Sequence, residues 1–219
     1  MTDKARQRPP SHRKPQKGKY FVFGPDIRGG GTGHGVIFEN EQNLLTPPRL
    51  IVRPEEGGFP VLREKPRLRY VPKEGKMPRD LEGGLSGYWM VSERLKQIFE
   101  RVDPKGFAFA ACDFVLPDGS NGPQYYLCDV TRTLDALDEE ASTVRIQIEP
   151  SGSKIFRALV GMTRLTFRQD IVGDAHVFVQ PNLTTDPICD SALRDACKAA
   201  GLGKKDGLKG IMFDDAADL

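Results

Sequence analysis

Asp135, Asp138, Glu139 and Glu140 place four carboxylates within six residues. Carboxylates at this spacing can exchange protons with a substrate, hold a divalent cation, or present a negative surface to a basic partner. Residues 103–150 as a whole carry nine acids against three bases, a net charge of −6. Such a field speeds association with a cationic protein, most strongly at low salt. The short spacing inside a polar stretch points to a solvated loop or a partner-binding surface rather than to a catalytic pair.

The other reactive side chains do not assemble into a motif. His12, His34 and His176 are the three histidines, and no GxSxG or comparable nucleophile sequence accompanies them. Nucleophilic catalysis needs a base oriented beside its nucleophile. Cys112, Cys128, Cys189 and Cys197 include no CxxC pair, and a zinc site needs about four N/S ligands at short local spacings. Read as one helix, Cys189 and Cys197 lie about 12 Å apart along its axis, beyond disulfide reach. Reduced core thiols are the expectation. The loop GPDIRGGGTGHG, residues 24–35, has Gly31, Gly33 and Gly35 at alternate positions. A phosphate cradle also requires a helix N-terminus behind its glycines, and here the strand-like VIFEN follows. No cofactor and no metal are expected, and no catalytic residues are assigned.

The elements that must position these groups follow from apolar periodicity. Tyr20–Phe23 reads as a strand. Pro47, Pro48, Pro54, Pro60, Pro66, Pro72 and Pro78 interrupt the next stretch, which predicts short edge strands, with Leu50–Val52 and Leu68–Val71 as candidates. Leu95, Ile98, Phe99 and Val102 share one helical face behind Ser92 as N-cap, and Asp103-Pro104 ends that helix. Tyr88 and Trp89 would anchor its start. Residues 107–130 read as a hairpin around PDGSNGP, and 131–142 as a loop or single helical turn. Val144, Ile146 and Ile148 alternate as in a half-buried strand. Further strands are expected at 154–160, 163–169 and 175–180. Asp186-Pro187 has the composition of an N-cap and first helical position, with the helix running to a C-cap at Gly201; Gly210–Phe213 adds a strand. The fold class expected is α+β, mostly antiparallel sheet with two main helices and a loop-rich N-terminal third.

The whole chain of 219 residues has a net charge of +2. Residues 1–19 hold seven Lys/Arg against one acid, a net +6, so residues 20–219 carry −4. The division expected is a disordered basic tail over 1–19 and a single domain over 20–219, loop-rich over 20–85. No apolar run suits a membrane span and no apolar core of a secretory signal is present, so a cytoplasmic protein without membrane contact is expected. The tail offers one route to nucleic acid.

The order and spacing of YWMVSERL, the Asp-Pro break, FAFAACDF, the LPDG turn, YYLCDV and LDALDEEAS, residues 88–142, resemble bacterial immunity-protein family eleven. KIFRALVGMTRLTFR, DPICDSALRDACKAAGL and GIMF continue the likeness, over roughly residues 85–213. The resemblance implies a small cytoplasmic, non-enzymatic protein that neutralises a cognate bacterial toxin, with nucleases among the toxins so paired. It lends no catalytic or contact residues. Asp135, Asp138, Glu139 and Glu140 are the contact residues expected from charge. Two other classes remain: a nucleic-acid-binding protein using the basic tail, and an enzyme whose site is assembled from dispersed residues.

Overall fold

The computed structural model describes residues 15–28, 33–184 and 186–219. Among these, the chain forms β1 (Tyr20–Pro25), β2 (Val36–Phe38), β3 (Arg67–Tyr70), β4 (Leu81–Leu85), β5 (Tyr88–Ser92), α1 (Glu93–Val102), β6 (Phe107–Ala111), β7 (Asp113–Val115), β8 (Tyr125–Val130), β9 (Arg145–Ile148), β10 (Lys154–Arg157), α2 (Gln169–Val172), β11 (Val177–Phe178), β12 (Ile188–Asp190), α3 (Ser191–Ala199) and β13 (Ile211–Asp215). The class is α+β with mostly antiparallel sheets. One sheet has the order β11-β12-β1-β13, a second β4-β5-β8-β6, a third β2-β3-β7, and β9 pairs with β10.

Strand periodicity explains how these sheets share three apolar cores. Successive side chains of a strand point to opposite faces. In β1, Phe21 and Phe23 enter the first core, while Tyr20 and Val22 enter the second with Phe156, Phe167, Phe178 and Ile188. In β8, Cys128 and Val130 join the first core, while Tyr125 and Leu127 join the third with Leu68, Met90 and Phe114. Strands buried on both faces read as continuous apolar runs, which is why YFVF and YYLC lack alternation. The first core lies between these two sheets and also takes Leu95, Ile98 and Phe99 of α1 with Leu193 and Cys197 of α3.

Helix α1 starts and stops where its sequence dictates. The Ser92 hydroxyl accepts from the Leu95 N–H, and the Asp103 N–H closes the last turn on the Phe99 carbonyl. The same hydroxyl donates to Asp80 at 2.6 Å. Ser92→Ala removes both bonds and is expected to cost about 1–2 kcal/mol, read as a lower urea midpoint with an unchanged m-value. Of the two aromatics before the helix, Trp89 packs against the core that takes α1, edge-on to Phe23 with centroids 5.2 Å apart, whereas Tyr88 enters the third core, where its hydroxyl donates to the Gly58 carbonyl at 3.0 Å.

The start of the last helix differs from expectation. Asp186-Pro187 opens no helix; Ile188–Asp190 is a strand paired with β1 from Tyr20↔Asp190 to Val22↔Ile188. Ile188 fills the second core and Cys189 the first, an alternation a strand supplies and one helical face does not. Asp190 is the true N-cap of α3, accepting from the Leu193 N–H at 3.1 Å. The axial separation calculated for Cys189 and Cys197 along one helix therefore does not apply; both thiols are buried and free. The C-terminal end is as expected, with Gly201 at φ 83°.

Other differences are local. Leu50–Val52 forms no strand; Ile51 drops into the third core while Leu50 and Val52 stay exposed. Residues 107–130 contain the expected pairing of β6 with β8, but β7 leaves it to run parallel to β3. Residues 163–168 contribute only isolated bridges, and β10 ends at Arg157. Arg145–Ile148 is a strand, but exposed along its whole length rather than half-buried.

Candidate partner-binding surface

The four predicted contact carboxylates lie on one loop without converging. The loop is held from below by Gln180, which is buried. Its side-chain oxygen accepts from the N–H groups of Ala136 and Leu137, and its amide donates to Asp135 at 2.9 Å. Asp138 turns the chain: its carboxylate accepts from the Ala141 N–H and its carbonyl from the Ser142 N–H. Glu139 pairs with Lys154 at 2.8 Å. Glu140 is exposed. Among the described residues, no three His, Cys, Asp or Glu side chains group closely enough to hold a metal ion.

Folding dilutes the −6 counted along the chain. Arg132 pairs with Asp103 inside the segment, and Arg53, Lys65 and Lys154 arrive from outside it to pair with Asp129, Asp113 and Glu139. Asp135 and Asp138 also lie within electrostatic range of Arg168. The outward face is an acidic loop rimmed by cations; Asp135, Glu139 and Glu140 are exposed, and Glu139 is paired with Lys154.

Sequence reasoning missed the buried carboxylates that organise the molecule. Asp80 takes Ser92, a two-pronged Arg94 and the Lys209 N–H. Asp103 takes both ends of the Arg132 guanidinium and the N–H groups of His176 and Val177. Burial opposes ionisation of each, but the arginine and the other donors together hold both carboxyls below the usual range. At Asp129 burial wins, and the carboxyl is raised despite Arg53 and the Gly58 N–H. The only local signals were Asp103-Pro104, which reads as a helix stop, and the Asp80…Ser92…Arg94 spacing, which reads as nothing until the helix folds.

His34 and His176 have partners that the sequence did not show. His34 Nε2 lies 2.9 Å from the Gly83 carbonyl, and its Nδ1 accepts from the Val36 N–H. This ring lines a groove of about 900 Å³ with Ile27, Arg79, Glu82 and Trp89. Arg79 and Glu82 bind each other through both prongs there, at 2.8 Å each. Gly35 leads into β2, and among the described residues no helix terminus backs the glycine loop. Gly31 and His12 lie outside the described residues.

His176 Nδ1 sits 2.8 Å from Asp190, which places an Asp–His pair at the surface. A catalytic triad would add a hydroxyl or thiol on the imidazole. Among the described residues none is hydrogen-bonded to it, and Asp190 divides its carboxylate between the ring and the cap of α3. Thiol chemistry is also disfavoured. Burial pushes Cys112 and Cys197 up to about 12 and raises Cys128 and Cys189 well above the ordinary value, whereas the thiolate is the reactive form.

No helix among the described residues is long and apolar enough to cross a membrane. Residues 15–19 are tied down: Lys17 pairs with Asp218 at 2.6 Å, and the Gly18 N–H donates to Asp215. No curated protein matches the chain. The model of the family described as Immunity protein family (Imm11) matches residues 19–218. That span takes in the loop-rich N-terminal third, where the expected likeness stopped near residue 85. The extension is physically reasonable, because β1 pairs with both β12 and β13 and fills two of the three cores. Matched over nearly its whole length, the protein belongs to the Imm11 immunity protein family.

Proposed function

We propose that this protein binds and neutralises a cognate toxin in the cytoplasm of the cell that produces both, without catalysis of its own. The observation that carries this reading is the family match over residues 19–218. The disposition of the reactive groups accords with it: the thiols are buried, the Asp–His pair has no nucleophile on its imidazole among the described residues, and the groove's arginine is occupied by Glu82. We further propose that the toxin is a nuclease. A nuclease must attract a polyanion and so carries a basic groove, and Asp135 and Glu140, with Asp138 and Glu139 beside them, offer the complementary charge. A stable interface would bury about 1,200–2,000 Å², so the acidic loop would form one part of it.

The test is co-expression with the toxin domain encoded beside this gene. Wild-type protein is expected to restore growth. Asp135→Lys with Glu140→Lys is expected to weaken binding at least about ten-fold, mainly through slower association, and to flatten the salt dependence of the association rate. A double variant that protects and binds like wild type would overturn the acidic contact. Continued killing in the presence of the wild-type protein would overturn the pairing with that toxin.

A further inference from the structure

The strand β9 leaves one edge open. Its four residues are exposed, with Ile148 at 70% and Ile146 at 44%. On one side it pairs with β10, from Lys154↔Ile148 to Arg157↔Arg145. The Glu149 N–H donates to the Ser153 carbonyl, and Thr143 exchanges both backbone bonds with Arg164. Backbone groups point to the same side at every second residue, so 143, 145, 147 and 149 bond inward. Ile146 and Ile148 therefore direct their N–H and C=O groups outward, where no strand pairs with β9 among the described residues. An open edge bearing isoleucines, without a proline or bulge inside it, is a template for another strand.

We infer that β9 pairs with β9 of a second copy of this chain, antiparallel about a two-fold axis at Gln147. The residues 145–149 are Arg-Ile-Gln-Ile-Glu, and this order is self-complementary. The axis sets Arg145 opposite Glu149 of the second copy, Ile146 opposite Ile148, and Gln147 opposite its own counterpart. The two isoleucines of each copy meet on one face. On the other face two Arg–Glu pairs flank two glutamines, and no like charges stand opposed. The ladder uses the outward groups of Ile146 and Ile148 in both copies. It ends at Pro150, which has no N–H to donate. An isologous contact of this kind closes on itself as a dimer and does not propagate. It is small, below about 1,200 Å², and so belongs to the weak class of interfaces. The inference does not depend on the toxin reading, because it uses only the edge of β9.

The test uses the full chain. Sedimentation velocity from micromolar to near-millimolar concentration is expected to show a mass rising from 24.3 kDa toward twice that value. Arg145→Glu sets Glu against Glu149 and should move the transition to at least ten-fold higher concentration. Arg145→Glu combined with Glu149→Arg should return it. Gln147→Cys places two thiols across the axis, about 4.5 Å apart between Cα atoms, within the range of a disulfide. It should give a covalent dimer under mild oxidation. Ser151→Cys, in the hairpin turn and roughly 27 Å from its counterpart along the seam, should not. A monomer at every concentration with no Gln147→Cys cross-link overturns the inference, as does equal cross-linking at the two positions. A dimer indifferent to the charge exchange also overturns it.

Discussion

Asp103→Ala is expected to destabilise the protein by about 3–5 kcal/mol at neutral pH, because it breaks a buried ion pair from one side. Asp103 is 5% exposed. Its loss leaves the Arg132 guanidinium with its bond to the Val177 carbonyl and takes the acceptor from the backbone N–H groups of His176 and Val177. These bonds join the end of α1 to β11, so one carboxylate links two elements about seventy residues apart. The penalty has a predictable pH dependence. Burial raises the Asp103 carboxyl but Arg132 and the N–H donors lower it more, so its folded value lies below its unfolded one. A depressed carboxyl contributes stability that is present above the unfolded value, about 3.9, and is lost as pH falls through the folded one. The difference between wild type and Asp103→Ala, measured by urea unfolding, should therefore be constant near neutrality and shrink below about pH 4. A difference that stays unchanged at low pH would show that Asp103 acts through packing and not through its charge.

Phe99→Ala should cost a similar amount, about 3–5 kcal/mol, by a different mechanism. Phe99 is fully buried. Its ring stacks on Phe107 with centroids 4.3 Å apart and meets Phe23 edge-on at 6.1 Å. It thus joins α1 to both large sheets, and truncation opens a cavity where three elements meet. The loss should be independent of pH and appear as a fall in Tm of roughly 2–4 °C per kcal/mol. Phe99→Leu, which refills most of the space, should cost less than half as much. If the alanine variant unfolds with a Tm near wild type, the first core is not the cooperative centre of the fold.

The two substitutions separate what sequence could and could not reveal. Phe99 was legible. It falls on the apolar face of a helix whose cap and stop are coded locally, and periodicity over ten residues carries that information. The α+β class, β1, the pairing of β6 with β8, the helix end at Gly201 and the family likeness came from the same kind of local pattern. Asp103 was legible only as a chain break. Its partners, Arg132, His176 and Val177, lie 29 to 74 residues away, and nothing local ties them to it. The same holds for Gln180, an unremarked residue that sets the shape of the acidic loop.

Where sequence misled, a local signal was overruled by tertiary pairing. Asp186-Pro187 has the chemistry of a helix start, yet Ile188 and Cys189 are strand residues because β1 lies beside them and takes one into each of two cores. Val144, Ile146 and Ile148 alternate as a half-buried strand should, yet among the described residues no layer covers β9. The acidic loop lies between these two cases. Its charges were plain in the sequence, but charge along a chain is only a sum. Arg53, Lys65 and Lys154 reached that segment through folding, while Asp135, Glu139 and Glu140 stayed on the surface. The sequence by itself determined the reactive side chains, the main helices and the family. The tertiary structure alone decided which charges are buried and spent and which edge stays open, because those depend on contacts between residues far apart in the chain.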